Sequence, residues 1–386
     1  MKNIVVIFGG RAVEHEVSVI TGIQAVENLN KEKYNVIPVF IDKSGVMFTG
    51  DCYKDFKNFK NNEFPDSKPC RFGTSYGDHN LYIENKGLFK KDEVVEIDCV
   101  VFGVHGSHGE DGALQGIFET NGIPFTGPSV MASAVGMDKI IMKDVYKSHN
   151  IPVVKYTWVF RDRFRVEPND TLDYVMSKLE FPIYVKPASL GSSIGIKVAR
   201  TKEELREATE VASSFDRKII FEEAVINATE LNVAVMGRNG DVEVSSVESP
   251  LGADEVFSYQ QKYMSEDGKS KLIGGKHNFI RDEDTVYKAT ELAKYSFNVL
   301  DVRGNARIDI LMDEAGNMFV NEINTLPGSY AFYLWEDVGY TFKSLLDRMI
   351  EIAISAKKKK KKQIIDLIRI CSITQVTARS YRAVFF

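Results

Sequence analysis

The stretch Ala306-Arg307-Ile308-Asp309-Ile310-Leu311-Met312, the turn Asp313-Glu314-Ala315-Gly316-Asn317 and the run Met318-Phe319-Val320-Asn321-Glu322-Ile323-Asn324 read as two strands of a hairpin. Strand side chains alternate between faces. Arg307 and Asp309 therefore share one face, as do Glu322 and Asn324. With a four-residue loop from Glu314 to Asn317 and Asp313 opposite Met318, Asp309 lies opposite Glu322 and Arg307 opposite Asn324. Opposed Cβ atoms are about 4.5–5.5 Å apart. Two facing carboxylates repel unless a cation lies between them. With an amide oxygen beside them they form an all-oxygen set suited to Mg²⁺ or Mn²⁺, and Mg²⁺ completes its shell with water and phosphate oxygens. The hairpin thus predicts a metal–nucleotide platform. The alternative is a solvent-facing hairpin with an Arg–Asp salt bridge. The following turn, Thr325-Leu326-Pro327-Gly328-Ser329, favours the platform, because a backbone N–H there can point at an oxyanion.

Upstream, Lys186-Pro187-Ala188-Ser189-Leu190-Gly191-Ser192-Ser193-Ile194-Gly195 reads as a strand leading into a small-residue loop that backbone amides and hydroxyls could bring close to phosphates. An ordinary hairpin turn is the competing explanation. No GxxxxGK[ST] or full GxGxxG occurs. Lys139 and Lys262 lie in a helix and a polar loop, where solvated lysines are also common. At the start, residues 3–8 form a short apolar strand ending in Gly9-Gly10. Strand–helix alternation follows through Ser18–Leu29, Tyr34–Ile41, Asp98–Val104 and Leu114–Asn121, which predicts a parallel sheet covered by helices. Residues 50–90 are polar and irregular. One helix is expected from Ser129 to Asn150 and a last one from Phe342 to Ile354.

Composition narrows the class. The chain is 44% hydrophobic and 27% charged, which excludes disorder over most of its length, and its net charge of −5 excludes a general nucleic-acid-binding type. The segment from Ala356 onward holds nine Lys/Arg against one Asp. It is a polybasic anchor, a solvated tail or the product of a frame slip. Cys52, Cys70, Cys99 and Cys371 show no metal spacing and no disulfide framework. No signal-like or membrane-spanning run is evident, so a cytoplasmic protein without membrane or nucleic-acid partners is expected.

Taken in order, Phe8-Gly9-Gly10, Val13 to Ser18, His105-Gly106, Gly109 to Gly116, Pro124 to Gly127, Met137-Asp138-Lys139, Val185-Lys186-Pro187, Gly191 to Gly195, the hairpin and Asn324 to Gly328 resemble the D-alanine–D-alanine ligases of the ATP-grasp superfamily. The resemblance covers about residues 1–354. It implies a mixed α/β and α+β architecture: a Rossmann-like N-terminal domain (1–127), a small α/β middle subdomain (128–217), a larger α+β C-terminal subdomain (218–355) and a basic tail (356–386) outside the fold. It also implies a reaction. ATP phosphorylates the carboxylate of one D-alanine, the amine of a second attacks, and D-alanyl-D-alanine for peptidoglycan results.

By the same resemblance, Asp309, Glu322 and Asn324 hold two Mg²⁺ or Mn²⁺ ions. Lys139, Lys186 and Lys262 bind nucleotide phosphates, Glu222 and Val225 face the adenine, and Glu230 faces the ribose. Arg307 and the Gly328 N–H stabilise the tetrahedral oxyanion. Glu14 takes the first substrate's ammonium with Ser192 and Tyr263 as partners, and His105 lies near that substrate. Tyr333-Leu334 stands where typical members place a Ser-Leu pair for the second substrate's carboxylate, and Met264–Ile280 lacks the usual Cys-Pro-Ala. These departures leave other acceptors open (D-serine, D-lactate or another amino acid), alongside a non-catalytic nucleotide-binding protein. The resemblance also raises a homodimer.

Overall fold

The strand-forming runs assemble into three sheets. The computed structural model describes residues 1–85, 91–250 and 277–358. The first sheet comprises β1 (Lys2–Gly9), β2 (Tyr34–Ile41), β3 (Met47–Thr49), β4 (Lys68–Phe72), β5 (Asn80–Ile83), β6 (Glu93–Glu96) and β7 (Cys99–Phe102), in the order β6-β5-β4-β3-β2-β1-β7. Only β2, β1 and β7 run parallel; the other pairings are antiparallel. The expectation of a parallel sheet is thus corrected for residues 47–96. Their strands are three to five residues long, too short for alternation to distinguish them from loop.

The helix His15–Asn28 crosses from β1 to β2 and buries Val19, Ile23 and Val26 against Ile4, Val6 and Phe8. Leu345, Leu346, Met349 and Ile350 of the final helix enter the same core, so the described chain's last helix closes on its first strand. That helix spans 342–358 rather than ending at Ile354. Ala356, Lys357 and Lys358 continue it, and Lys357 Nζ lies 5.4 Å from the centre of the Tyr76 ring. The start of the basic segment therefore belongs to the fold; 359–386 lie outside the described residues.

The second sheet, β8 (Tyr156–Phe160), β9 (Ile183–Pro187), β10 (Lys197–Ala199) and β11 (Lys218–Glu223), is antiparallel in the order β10-β9-β11-β8. Residues 218–223 are thus hydrogen-bonded into this sheet although they follow the expected boundary at 217. The third sheet, β12 (Thr229–Arg238), β13 (Asp241–Glu248), β14 (Gly304–Met312) and β15 (Met318–Asn324), is ordered β13-β12-β14-β15. Its apolar face packs on Ala289, Ala293 and Phe297 of the helix Glu283–Val299. The single helix expected over 129–150 is two, Val130–Met137 and Lys139–Ser148. Asp138 between them is extended, and its carboxylate accepts from the Ile140 and Ile141 N–H groups at 3.1 and 3.2 Å. An Asp N-cap restarts the helix there, and helix-forming residues on both sides hide the break.

Candidate functional site

The β14–β15 hairpin pairs Asp309 with Glu322 and Arg307 with Asn324, as read from the sequence, but through a different loop. Met312 pairs with Met318, so the loop has five residues, and a bulge lies between the Asp309 and Ile310 pairings. Ile310 faces Val320, leaving Asn321 as the extra residue. The bulge has a plain cause. Val320 and Ile323 are three residues apart, yet both are buried in the core that holds Ile308 and Ile310. Strict alternation would send one of them outward. The extra residue keeps both inside and leaves Glu322 on the face of Asp309.

On that face Arg307 grips Asp309 through two bonds, Nε to Oδ1 and Nη2 to Oδ2, each 2.7 Å, and Asn324 Nδ2 donates to Oδ2 at 2.9 Å. The salt bridge and the paired carboxylates therefore coexist. Two carboxylates and an amide on one face fit a hard divalent cation. No group of three or more His, Cys, Asp or Glu converges among the described residues, so a cation here would draw part of its shell from phosphate or water.

Lysines surround the hairpin's inner side. Lys139 Nζ lies 3.4 Å from Glu322 Oε2 and donates to Leu190 O at 2.8 Å. Lys186 Nζ is 2.6 Å from Glu222 Oε2, and Lys143 Nζ is 3.1 Å from Glu222 Oε1. Both lysines also hold the bulge: Lys143 donates to the Asn321 carbonyl at 3.0 Å and Lys186 to its Oδ1 at 3.3 Å. Burial opposes charge on Glu222, but Lys143 and Lys186 outweigh it and bring its pKa down to about 2. Burial likewise opposes charge on Glu322, and Lys139, Lys186 and Arg307 hold it below the usual carboxylate range. Three lysines thus gather around two carboxylates, with burial pushing the Lys143 pKa down against the pull of Glu222, a cationic cluster that suits an anionic phosphate chain. Lys143 was not singled out in the sequence. Its signal was available, since it lies four residues after Lys139 on the same helix face.

The opposite flank is acidic. Glu14 sits at the start of the helix His15–Asn28, but its side chain does not cap that helix's first turn. It is 3% exposed and hydrogen-bonded to Ser192 in the small-residue loop. Burial raises its pKa, with Ser192 and Lys139 opposing. Its Oε2 has no hydrogen-bond partner. The carboxylate is cradled by glycines. A Cβ at Gly106 would lie 2.1 Å from Oε2 and one at Gly191 3.2 Å from Oε1. Close by, Glu110 Oε2 accepts from the Gly106 N–H at 2.7 Å. Burial, together with Glu14 and Glu322, pushes Glu110 up to about 8. Glu110 belonged to a quoted motif without an assigned role; nothing in the sequence shows that these carboxylates converge.

The turn after β15 is unusual. Ser329, Tyr330 and Ala331, none of them glycine, have φ of 48°, 57° and 48°. Left-handed backbone costs about 1–2 kcal/mol per such residue. Asn305 holds the turn, donating through Nδ2 to Tyr330 O at 2.7 Å while its Oδ1 accepts from Trp335 Nε1 at 3.0 Å. His105 is buried with both ring nitrogens within hydrogen-bonding distance of protein groups, Leu326 O and Thr21 Oγ1. Tyr333 is buried and stacks on His277, with centroids 4.8 Å apart and planes 9° from parallel; His277 Nδ1 lies 2.6 Å from Glu248 Oε1. Leu334 is fully buried in the first core.

Val225 lines a cleft of about 660 Å³ with Lys155, Ala224, Glu314 and Phe319. Glu230 is on β12 opposite Leu311 of β14. Lys262 and Tyr263 lie outside the described residues.

Comparisons with known proteins cover most of the chain. Residues 3–128 match the family described as D-ala D-ala ligase N-terminus, and residues 145–351 the one described as D-ala D-ala ligase C-terminus. The D-alanine–D-alanine ligase of Thermosipho africanus is 38% identical over 366 residues, 94% of this chain and 96% of the relative. That of Acetivibrio thermocellus is 35% identical over 369 residues, covering 92% and 96%. Among solved structures, the D-alanine–D-alanine ligase from Coxiella burnetii has a TM-score of 0.77 at 26% identity, covering 97% of this chain and 98% of its own. The VanG D-Ala:D-Ser ligase from Enterococcus faecalis has a TM-score of 0.77 at 28% identity, covering 91% and 99%.

Proposed function

The chain belongs to the D-alanine–D-alanine ligase family, and on that premise we propose how its own residues divide the work of joining two D-alanine molecules at the expense of ATP. The fold is an ATP-grasp fold. The first D-alanine carboxylate takes the γ-phosphate and becomes D-alanyl phosphate. The amine of the second attacks the acyl carbon, phosphate leaves, and D-alanyl-D-alanine is released for peptidoglycan synthesis. The observation that carries this reading is Asp309 opposed to Glu322 across the hairpin, with Lys139 and Lys186 on its inner side. The relatives' names favour D-alanine over D-serine or D-lactate as acceptor, and the complete hairpin set favours an enzyme over a mere binder.

Carboxylate oxygen is a weak nucleophile toward phosphorus, so positioning and charge neutralisation carry the rate. Lys139 and Lys186 supply charge to the phosphates. Glu222 and the Val225 backbone bound the adenine side, and Glu230 the ribose side. Glu14, hydrogen-bonded to Ser192, receives the first substrate's ammonium on its unpartnered Oε2. Arg307 and the Gly328 N–H stabilise the oxyanion of the tetrahedral intermediate. Tyr333 stands on the acceptor side, whereas Leu334 is fully buried in the first core. The roles of Lys262 toward the γ-phosphate and of Tyr263 as a partner of Glu14 rest on the family resemblance alone, since both lie outside the described residues. Family members use ATP with a metal ion. Here Asp309, Glu322 and Asn324 would hold Mg²⁺ or Mn²⁺, two ions in all, which neutralise phosphate charge. A cytoplasmic location and a homodimer belong to the same proposal; no helix among the described residues is long and apolar enough to cross a membrane.

Phosphate release from ATP tests the reading. It should require D-alanine, with little release for L-alanine or no amino acid, and mass spectrometry should find the dipeptide. Equal release in all three mixtures would remove it.

A further inference from the structure

The turn that follows β15 is tied to the N-terminal helix by a hydrogen-bond chain whose every proton can be placed. Leu326 O can only accept, so His105 Nδ1, 2.9 Å away, carries the hydrogen. In a neutral ring the other nitrogen, Nε2, must then accept, and its partner at 2.8 Å, Thr21 Oγ1, donates. Thr21 Oγ1 in turn accepts from the Ser329 N–H at 3.2 Å. Thr21 and Ser329 are no more than 3% exposed and His105 is 6% exposed. Burial lowers the His105 pKa to about 4, against the bond to Leu326, so the ring is neutral at ordinary pH.

The chain grips the turn at Leu326 and at Ser329, on either side of Gly328. Ser329 also begins the left-handed run of three non-glycine residues, which needs outside support to persist. Asn305 supports the run at Tyr330, and Thr21 supports it at Ser329. Neither His105 nitrogen is left for a ligand while the chain is intact.

We propose that Thr21 and His105 form a positioning relay that locks the left-handed turn, and thereby aims the Gly328 N–H at the reacting carbonyl and sets the acceptor side of the site. This rests on the reading of Gly328 and Arg307 as oxyanion stabilisers. The relay also joins that turn to the helix that begins beside Glu14, so the first-substrate grip and the oxyanion donor share one rigid support.

The test replaces Thr21 with valine, which keeps the shape and removes the hydroxyl, and with serine, which restores it. In Thr21→Val, kcat falls about 10- to 100-fold, the loss a small misplacement of reacting groups causes. The KM for ATP stays within about twofold, because the nucleotide side is not touched. Thr21→Ser recovers most of the rate. In the wild-type enzyme, ¹⁵N NMR of labelled histidine shows His105 as the neutral Nδ1–H tautomer from pH 6 to 9. A wild-type rate in Thr21→Val, a loss that serine does not recover, or a protonated or Nε2–H His105 would overturn the relay. The NMR readout decides even if the valine variant fails to fold. Arg307→Met in the same assay separates the two ideas. Its inactivity beside a normal Thr21→Val removes only the relay, whereas normal turnover in Arg307→Met removes the oxyanion reading on which the relay depends.

Discussion

Glu222 and Glu110 lie on opposite flanks of the same hairpin, and their pKa values are driven apart, to about 2 and about 8. Burial raises both. Around Glu222, Lys143 and Lys186 overwhelm it. Around Glu110 the neighbouring charges are Glu14 and Glu322, which add to it. The difference teaches that the site is electrically two-sided. The flank with surplus lysine suits a triphosphate, and the flank with surplus carboxylate suits an ammonium. Glu322 stands between them, facing Lys139 on one side and felt by Glu110 on the other.

The strongest way to break this picture is at that shared residue. Glu322→Gln should lower turnover by roughly 1000-fold or more, as expected for a lost electrostatic group at the transferring phosphoryl, while calorimetry still detects weak ATP binding. Normal turnover would remove the metal assignment. Next comes the lysine flank. Lys143→Met should destabilise the protein by about 3–5 kcal/mol in urea unfolding, because Glu222 stays buried with one partner fewer. A loss below about 1 kcal/mol would mean that Lys186 alone satisfies Glu222.

On the acidic flank, Glu14→Gln should reduce kcat/KM for D-alanine by about 10- to 100-fold, the loss of a charge-assisted hydrogen bond, with little change in the KM for ATP. If the KM for ATP moved instead, the two flanks would not be separate. The last effect concerns pH. The folded-state pKa of Glu110 lies above its unfolded value, so its stabilising contribution is complete below about pH 4.5 and is lost as pH rises through about 8. Glu222 behaves in reverse: its contribution is complete above about pH 4.5 and is lost as pH falls toward 2. Glu110→Gln should therefore remove the fall in stability between about pH 4.5 and 8 and leave the profile below about pH 4.5 unchanged. An unaltered slope between about pH 5 and 8 would show that Glu110 is already charged.

The opposed residues of the hairpin were legible because strand alternation is a local rule, and the sequence has Arg307 and Asp309 two apart and Glu322 and Asn324 two apart. The bulge at Asn321 was not legible. It arises from the need to bury both Val320 and Ile323 against a core supplied partly by the distant helix Glu283–Val299. The assumed loop was one residue too short and still gave the right pairings, because the miscounted loop residue and the omitted bulge offset each other. The break at Asp138 was hidden for a related reason: a capping carboxylate is recognisable only when the backbone around it has already turned.

What the chain alone determined was the order of its motifs and the chemical type at each position: acidic and amide groups on one hairpin face, lysines upstream, glycines where Glu14 needs room. These follow from covalent spacing and local periodicity. What only the folded molecule decided was which charges meet. Lys143 with Glu222, Glu110 with Glu14, and Thr21 with His105 and Ser329 are brought together from remote segments, and electrostatic and hydrogen-bonding energies depend on distances through space that no spacing along the chain encodes.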